Sequence, residues 1–254
     1  ITMSDRVGLV ILAGGKGKRM QEEAGNELPK VLQPLRGKPL IRHLIEGLRG
    51  ASVIWPPIIV IGYKGEMVEQ ELGPEFSYVW QKDQLGTGHA TLQARQALEG
   101  KAEHVLVLYG DHPLVPLSVV EAIATAHVEH GNTLTFATVT VLDFEDWRAG
   151  LLTYGHIICN DDEKPVRIVE YKDATEAERA IRTVNPGYYC FRASWLWPHL
   201  EQLQNKNVQG EYYLTDLLGM AIAEGERIEA VPIDPKAALG VNTVTELKRL
   251  EELV

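Results

Sequence analysis

The chain has 254 residues, 45% hydrophobic and 24% charged, with a formal net charge of -10, enough to bury a substantial core in one large domain or two small ones. The acidic balance argues against nucleic acid or an anionic membrane as the main partner. Two cysteines, Cys159 and Cys190, neither in a CxxC, exclude a disulfide framework and read as reduced thiols of a cytoplasmic protein.

The N-terminus has no long apolar core of the kind a secretory signal needs. The first buried strand is expected at 7–12, VGLVIL. A helix is expected at 39–49, where Leu40, Ile41, Leu44, Ile45 and Leu48 recur at helical spacing. The most apolar window, 51–62, is broken by Pro56 and Pro57 and is too short to cross a bilayer. A strand at 58–61 follows, then a helix at 65–72, a short strand at 78–80 and a helix at 88–98. Next come a strand at 105–109, a helix at 117–130 and a strand at 134–141. Beyond these, strands are expected at 156–159, 166–170, 187–191 and 227–231, with a turn at 160–164. Helices are expected at 194–203, 213–224 and 243–253. Alternating strands and helices indicate an α/β fold with a mostly parallel sheet. Ligands of such sheets sit at the carboxyl ends of the strands.

Two of those strand ends carry polar chemistry. After the first strand comes Leu12-Ala13-Gly14-Gly15-Lys16-Gly17-Lys18-Arg19. Glycines let the backbone approach a phosphate and present N–H groups, and the cations add charge-assisted hydrogen bonds. The spacing is neither GxxxxGK[ST] nor GxGxxG, so the alternative is a solvated basic turn. Farther on, Pro29 stiffens the chain beside Lys30, a candidate phosphate contact. The segment Tyr109-Gly110-Asp111 ends another strand, with Asp111 suited to a divalent cation. Between these, Gln81 offers an amide to a base edge. In Gln84-Leu85-Gly86-Thr87-Gly88, the glycines permit close approach, and Thr87 is placed to cap the next helix.

In order, LAGGKGKRM, LPKVL, QLGTGHA, YGDHPL, YGHI, IVEYKDAT, the Asn185-Pro186-Gly187 turn, QGEYYLTDLL and GVN at 240–242 resemble the sugar-phosphate nucleotidyltransferase family. The resemblance covers nearly the whole chain. It points in particular to the uridylyltransferase domain of the bacterial bifunctional N-acetylglucosamine-1-phosphate uridylyltransferase/glucosamine-1-phosphate acetyltransferases. It implies a Rossmann-like, GT-A-like nucleotidyltransferase fold: a mixed, mostly parallel sheet flanked by helices, with a smaller substrate-side lobe. Residues 1–254 would form one nucleotidyltransferase domain, nucleotide-binding to about 142 and sugar-phosphate-binding from about 143.

The resemblance also implies roles. Leu12, Ala13, Gly14 and Gly15 would line the nucleotide pocket, and Gln81, Gly86 and Thr87 would bind uracil. Arg19 and Lys30 would contact phosphates. Asp111 and Asn242 would hold Mg²⁺. Gly155, Glu170 and Asn185 would bind the sugar phosphate, in a cleft also lined by Tyr109 and Gly110. Mg²⁺ is the expected cofactor. UTP and a sugar-1-phosphate are the expected partners, with a homo-oligomer possible. The implied reaction is transfer of a uridylyl group from UTP to N-acetylglucosamine-1-phosphate, giving UDP-N-acetylglucosamine and pyrophosphate. Another sugar-1-phosphate or another triphosphate is the alternative within the class, and a catalytically silent nucleotide-sugar sensor the alternative outside it. Four features depart from the family pattern: Lys18 for a usual threonine, a longer spacer at 21–27, His156 for a frequent arginine, and Pro186 for threonine or alanine. The bifunctional relatives continue into a β-helix of hexapeptide repeats. These residues contain no such repeats, and acetyl transfer is not expected of them.

Overall fold

The computed structural model describes residues 6–254. Strand β1 (Val7–Leu12) leads through a glycine-rich turn into helix α1 (Lys18–Ala24). A hairpin of β2 (Pro34–Leu35) and β3 (Lys38–Pro39) precedes α2 (Leu40–Gly47). Then come β4 (Ile54–Ile61), α3 (Gly65–Leu72), β5 (Ser77–Trp80), α4 (Thr87–Leu92) and α5 (Arg95–Leu98). The first half closes with β6 (His104–Tyr109), α6 (Leu117–Glu129) and β7 (Leu134–Thr140). The second half opens with β8 (Gly155–Cys159), β9 (Pro165–Val169), α7 (Glu176–Arg179) and β10 (Thr183–Asn185). It continues through β11 (Tyr189–Arg192), α8 (Ala193–Leu200), α9 (Asp216–Ala223), β12 (Ile228–Pro232) and α10 (Val244–Leu253).

One mixed sheet runs in the order β5-β4-β1-β6-β11-β7-β10-β8-β9, and β12 pairs with β7. β5, β4, β1 and β6 are mutually parallel. β11 is antiparallel to both β6 and β7, and β10 lies antiparallel between β7 and β8. With β9 antiparallel to β8 and β12 parallel to β7, only β9, β10 and β11 oppose the common direction. The sheet is mixed and mostly parallel, as expected.

All six residues of β1 are buried, as a central parallel strand covered on both faces requires. Its side chains alternate between faces. Val7, Leu9 and Ile11 join one core with residues of α2, α3 and α6. Val10 and Leu12 join the other, with Leu98, Leu196, Leu200 and Leu217. Truncating Ile11 to Ala in the first core costs about 2–5 kcal/mol. A third cluster joins Met20 of α1 to Leu151, Val241 and Leu250, beside the site.

Several expectations on element boundaries are corrected. β4 begins at Ile54, running through Pro56 and Pro57. The β1–β4 register shifts between Gly8 and Val10, whose partners are Ile54 and Ile58, so the irregularity absorbs residues that lack an N–H. The helix expected at 88–98 is two helices, broken between Leu92 and Arg95. The one expected at 213–224 starts only at Asp216. Cys190 is buried in β11, Cys159 is exposed, and both thiols are free. Among the described residues no helix is long and apolar enough to cross a membrane.

Candidate active site

β1 and β6 are adjacent and parallel, with Leu12 opposite Tyr109. The loops Ala13-Gly14-Gly15 and Gly110-Asp111 therefore leave the sheet side by side. A cleft of ≈ 560 Å³ opens at this carboxyl edge. Leu12, Ala13, Gly14, Gly15 and Arg19 line it, with Lys30, Gln81, Gly86, Thr87, Tyr109, Asp111 and Asn242. A pocket of ≈ 250 Å³ adjoins it, sharing Lys30, Thr87, Tyr109, Asp111 and Asn242 and adding Gly155, Glu170 and Asn185. Gly110 lines neither pocket. A Cβ at Gly110 would stand 3.1 Å from Val31 Cγ1, 3.3 Å from Ile41 Cδ1 and 3.3 Å from Leu12 O.

The two pockets meet at a cation. The Lys30 ammonium donates to Asn242 Oδ1 at 2.8 Å and pairs with the Asp111 carboxylate. Local chain geometry brings these three together across the sequence. Lys30 opens a 3₁₀ turn (Lys30–Leu32) directly after Pro29. Val241 N–H donates to Asp111 O at 3.1 Å, which sets the next residue, Asn242, beside Asp111. A capping box at the start of α10, Thr243 with Glu246, fixes the backbone there, and Asn242 N–H donates to Glu246 Oε2 at 2.6 Å. Tyr154 holds the approach, donating from its hydroxyl to Ala238 O and accepting from Gly240 N–H. Gly240 must be glycine, since a Cβ would stand 2.4 Å from His112 Nε2.

Burial works against the Asp111 charge, but Lys30 beside it more than offsets this and keeps the carboxyl below its usual range. His112 is neutral: burial drops its pKa to about 4, so its approach to Asp111 at 3.9 Å is no ion pair. The convergent oxygens of Asp111 and Asn242 already hold an ammonium. Such hard donors, one of them charged, suit Mg²⁺, which uses few carboxylates and completes its shell with water and substrate phosphate. Among the described residues no three His, Cys, Asp or Glu side chains gather around a metal position, so a metal here would lean on substrate oxygens.

The Gly-rich wall of the larger cleft is open and basic. Lys16, Lys18 and Arg19 are exposed and join none of the ion pairs among the described residues. A Cβ at Gly15 would meet nothing within 4 Å. Gly17 takes φ +60 to start α1, and a Cβ there would stand 2.7 Å from Lys30 Cβ. The longer spacer at 21–27 holds the end of α1, its Gly25 C-cap, and Asn26, whose side chain exchanges hydrogen bonds with Gln33. Lys18 is the first residue of α1 and lines the cleft.

The Gln84–Gly88 turn differs from expectation. Gly86, with φ +111, holds the N-cap position of α4, and no side chain caps that helix. The Thr87 hydroxyl instead accepts from Leu214 N–H at 3.0 Å. What approaches the glycines is the chain itself. Gly88 N–H donates to Tyr212 O and Tyr212 N–H to Leu85 O, both at 2.8 Å. A Cβ on Gly86 would stand 2.6 Å from Tyr212 O. Gln81 is buried, and its Nε2 donates to Gly86 O at 3.0 Å and faces His89 Nδ1 at 3.1 Å.

In the second pocket, burial pushes the Glu170 carboxyl up to about 7, although the Thr215 hydroxyl donates to its Oε1 at 3.0 Å. Asn185 donates to Tyr189 Oη at 2.6 Å and accepts from Gly187 N–H. Gly187, at φ +86, leaves room for Tyr109, whose Cε2 would lie 2.3 Å from a Cβ. His156 is fully buried with both ring nitrogens against carbonyls, Ile181 O and Leu152 O, and lines neither pocket. Gln209 and Glu211 line both pockets, and Tyr213 and Thr215 line the second. None of these four was singled out individually from sequence. Their signal was the QGEYYLTDLL segment itself, polar and aromatic where a plain helix start was expected.

A family model for the MobA-like NTP transferase domain matches residues 9–218. The chain belongs to this family. As a MobA-like NTP transferase domain it is a nucleotidyltransferase. The bifunctional protein GlmU of Brevibacillus brevis is 38% identical to it over 247 residues, 97% of this chain and 51% of that protein. GlmU of Heliobacterium modesticaldum is 38% identical over 246 residues, 96% of this chain and 51% of that protein. The chain thus spans about half the length of these relatives. The fold matches UDP-glucose pyrophosphorylase complexed with UDP-glucose at a TM-score of 0.74 and 20% identity, covering 98% of this chain and 97% of that one. It matches CMP:2-keto-3-deoxy-manno-octonic acid synthetase complexed with CTP at 0.69 and 18%, covering 98% of each.

Proposed function

We propose that this domain transfers a uridylyl group from UTP to N-acetylglucosamine-1-phosphate, releasing pyrophosphate, with Mg²⁺ as its metal. The observation that carries the reading is the meeting of a basic cleft and a polar pocket at one cation site, Lys30 with Asp111 and Asn242. Two phosphate-bearing substrates, one in each pocket, would bring their phosphates together there.

The sugar phosphate oxygen is already anionic, so it attacks the α-phosphorus without a general base, and the bond to the leaving pyrophosphate breaks on the opposite side. The main obstacle is bringing like charges together. Arg19 and Lys30 offset that charge on the triphosphate, and the open backbone at Gly15 lets the phosphates approach. Asp111 and Asn242 would hold the divalent cation, which when bound supplies charge neutralisation between the two phosphates. Gln81 has its amide nitrogen engaged and its Oε1 against Gly14, a fixed acceptor suited to a base edge that presents an N–H. Glu170, Asn185 and the backbone at Gly155 would orient the sugar.

The test is a Mg²⁺-dependent pyrophosphate-release assay across four nucleoside triphosphates and a panel of sugar-1-phosphates. UTP with N-acetylglucosamine-1-phosphate should dominate. Turnover with a different pair alone would replace the substrates and keep the reaction, and nucleotide binding with no release for any pair would indicate a sensor. Asp111→Ala should lower turnover by about two orders of magnitude or more while the circular dichroism spectrum stays native. Near-normal release by that variant would sink the role of Asp111. Lys30→Ala should lose mainly kcat; a rise in KM alone would assign Lys30 to uniform binding.

A further inference from the structure

The oxygens proposed for the metal are already in use. Lys30 Nζ donates to Asn242 Oδ1 at 2.8 Å and pairs with the buried Asp111 carboxylate. Asn242 has a single side-chain oxygen, and the ammonium takes it. Among the described residues Lys30 is the one lysine or arginine paired with Asp111. A divalent cation on the same two side chains would be pressed against that ammonium, and like charges this close repel. Metal and Lys30 therefore compete for one set of donors.

Lys30 can give them up without moving the backbone. Its base is fixed. It opens a 3₁₀ turn after Pro29, and the Gly-rich loop packs on it at Gly17, where a Cβ would stand 2.7 Å from Lys30 Cβ. Its head is free to swing, because a lysine ammonium rides on a flexible four-carbon stem and this side chain is 20% exposed. Lys30 lines both pockets. The larger of them is the basic cleft, where a triphosphate would offer anionic oxygens in exchange for those of Asp111 and Asn242.

We propose that Lys30 and the divalent cation exchange places. In the free chain the ammonium holds Asp111 and Asn242, and the metal gains both only as Lys30 moves to the triphosphate. The exchange rests on Asp111 and Asn242 being the metal's ligands, as proposed above. It gives Lys30 a task beyond touching phosphate: it keeps metal affinity low until nucleotide arrives. Nucleotide and metal then each tighten the other's binding, as linkage requires.

Mn²⁺ serves as the probe, added to nucleotide-free full chain and followed by loss of the free-ion electron paramagnetic resonance signal. Lys30→Met should tighten Mn²⁺ binding about tenfold or more, the scale of removing one competing charged hydrogen bond. The gain should vanish in the double variant Lys30→Met with Asp111→Asn. Lys18→Met removes a cation of the same cleft that pairs with neither residue, and it should change the midpoint little. An equal gain in Lys18→Met overturns the exchange. So does an unchanged midpoint in Lys30→Met, and if Asp111-dependent Mn²⁺ binding is present with UTP the metal assignment still stands. No Asp111-dependent binding in any chain, with or without UTP, overturns both. If Lys30→Met does not fold, the wild type decides. With [¹³Cε]lysine labelling, Lys30→Arg identifies the Lys30 signal. Excess Mg²⁺ without nucleotide should move that signal toward its position in Asp111→Asn, and a signal that stays in place overturns the exchange.

Discussion

Two glycine-bearing turns border the larger cleft and use glycine in opposite ways. At Gly15 a Cβ would meet nothing within 4 Å, and the neighbouring Lys16, Lys18 and Arg19 have no acidic partners among the described residues. At Gly86 and Gly88 the space is already filled by the backbone of Tyr212, which hydrogen-bonds into the turn. The first turn leaves its backbone exposed to a ligand. The second fastens the 209–215 segment, which walls both pockets, to the turn at residues 85–88. Composition alone does not separate these uses; the difference is what stands opposite each glycine.

Gly86→Ala should break this contrast most visibly. It places a Cβ at φ +111 and 2.6 Å from Tyr212 O, so strain and overlap together should cost about 3 kcal/mol of stability. Thermal denaturation should record a lower Tm, with activity toward both substrates reduced. An unchanged Tm would mean that the Tyr212 segment is not fastened there.

Glu170 extends the contrast to the second pocket, where a buried polar group is only partly matched by its partner. Its folded pKa of about 7 lies above the ordinary carboxylate value. A raised folded pKa means that stability is full below the unfolded value near 4.5 and is lost as pH rises through 7. Glu170→Gln should remove that loss, leaving the variant more stable than wild type above pH 7 by on the order of 2 kcal/mol and similar to it near pH 4. Urea unfolding across this pH range checks it, and parallel curves at all pH values would refute it.

Much of the fold was legible because its signals are local. Buried β1 and amphipathic α3 fall where their residue patterns put them. α1 was not legible: only Met20 of its seven residues is buried, and its basic start reads as a loop. β10, three residues long, takes its register from β7 and β8 on either side. The sequence places the start of α9 early because Tyr213–Thr215 carries helical periodicity, while in the fold Leu214 and Thr215 form a turn before the helix and Tyr212 and Leu214 are tied to residues 85–88. In the site, Asp111 and the Gly-rich loop were visible at strand ends. The meeting of Lys30 with Asn242, 212 positions away, depends on the Val241–Asp111 backbone bond and has no local trace. Gln209 and Glu211 lie in the QGEYYLTDLL segment, and their place against both pockets follows from the bonds between Tyr212 and residues 85–88.

Gly15→Ala is the counterpart of Gly86→Ala. Gly15 is not in the positive-φ region, and its Cβ would enter open space, so Tm should stay within about 1 °C, as for substitutions that break no contact. The methyl group would stand where phosphate is proposed to approach. KM for UTP should rise about tenfold, the scale of one lost or displaced contact. A fall in Tm with an unchanged KM would reverse the assignments of the two turns.

The smallest effect belongs to Lys18. It is exposed at the first position of α1, lines the cleft and forms no ion pair among the described residues. An exposed ammonium near an anion contributes only about 0.5 kcal/mol, and salt screens it. Lys18→Thr should therefore raise KM for UTP about twofold at low ionic strength, with the difference vanishing as salt is added and kcat unchanged. A larger, salt-insensitive loss would place the Lys18 ammonium in direct, desolvated contact with phosphate. A null result at every salt concentration would turn it toward solvent and leave Lys30 and Arg19 to hold the triphosphate.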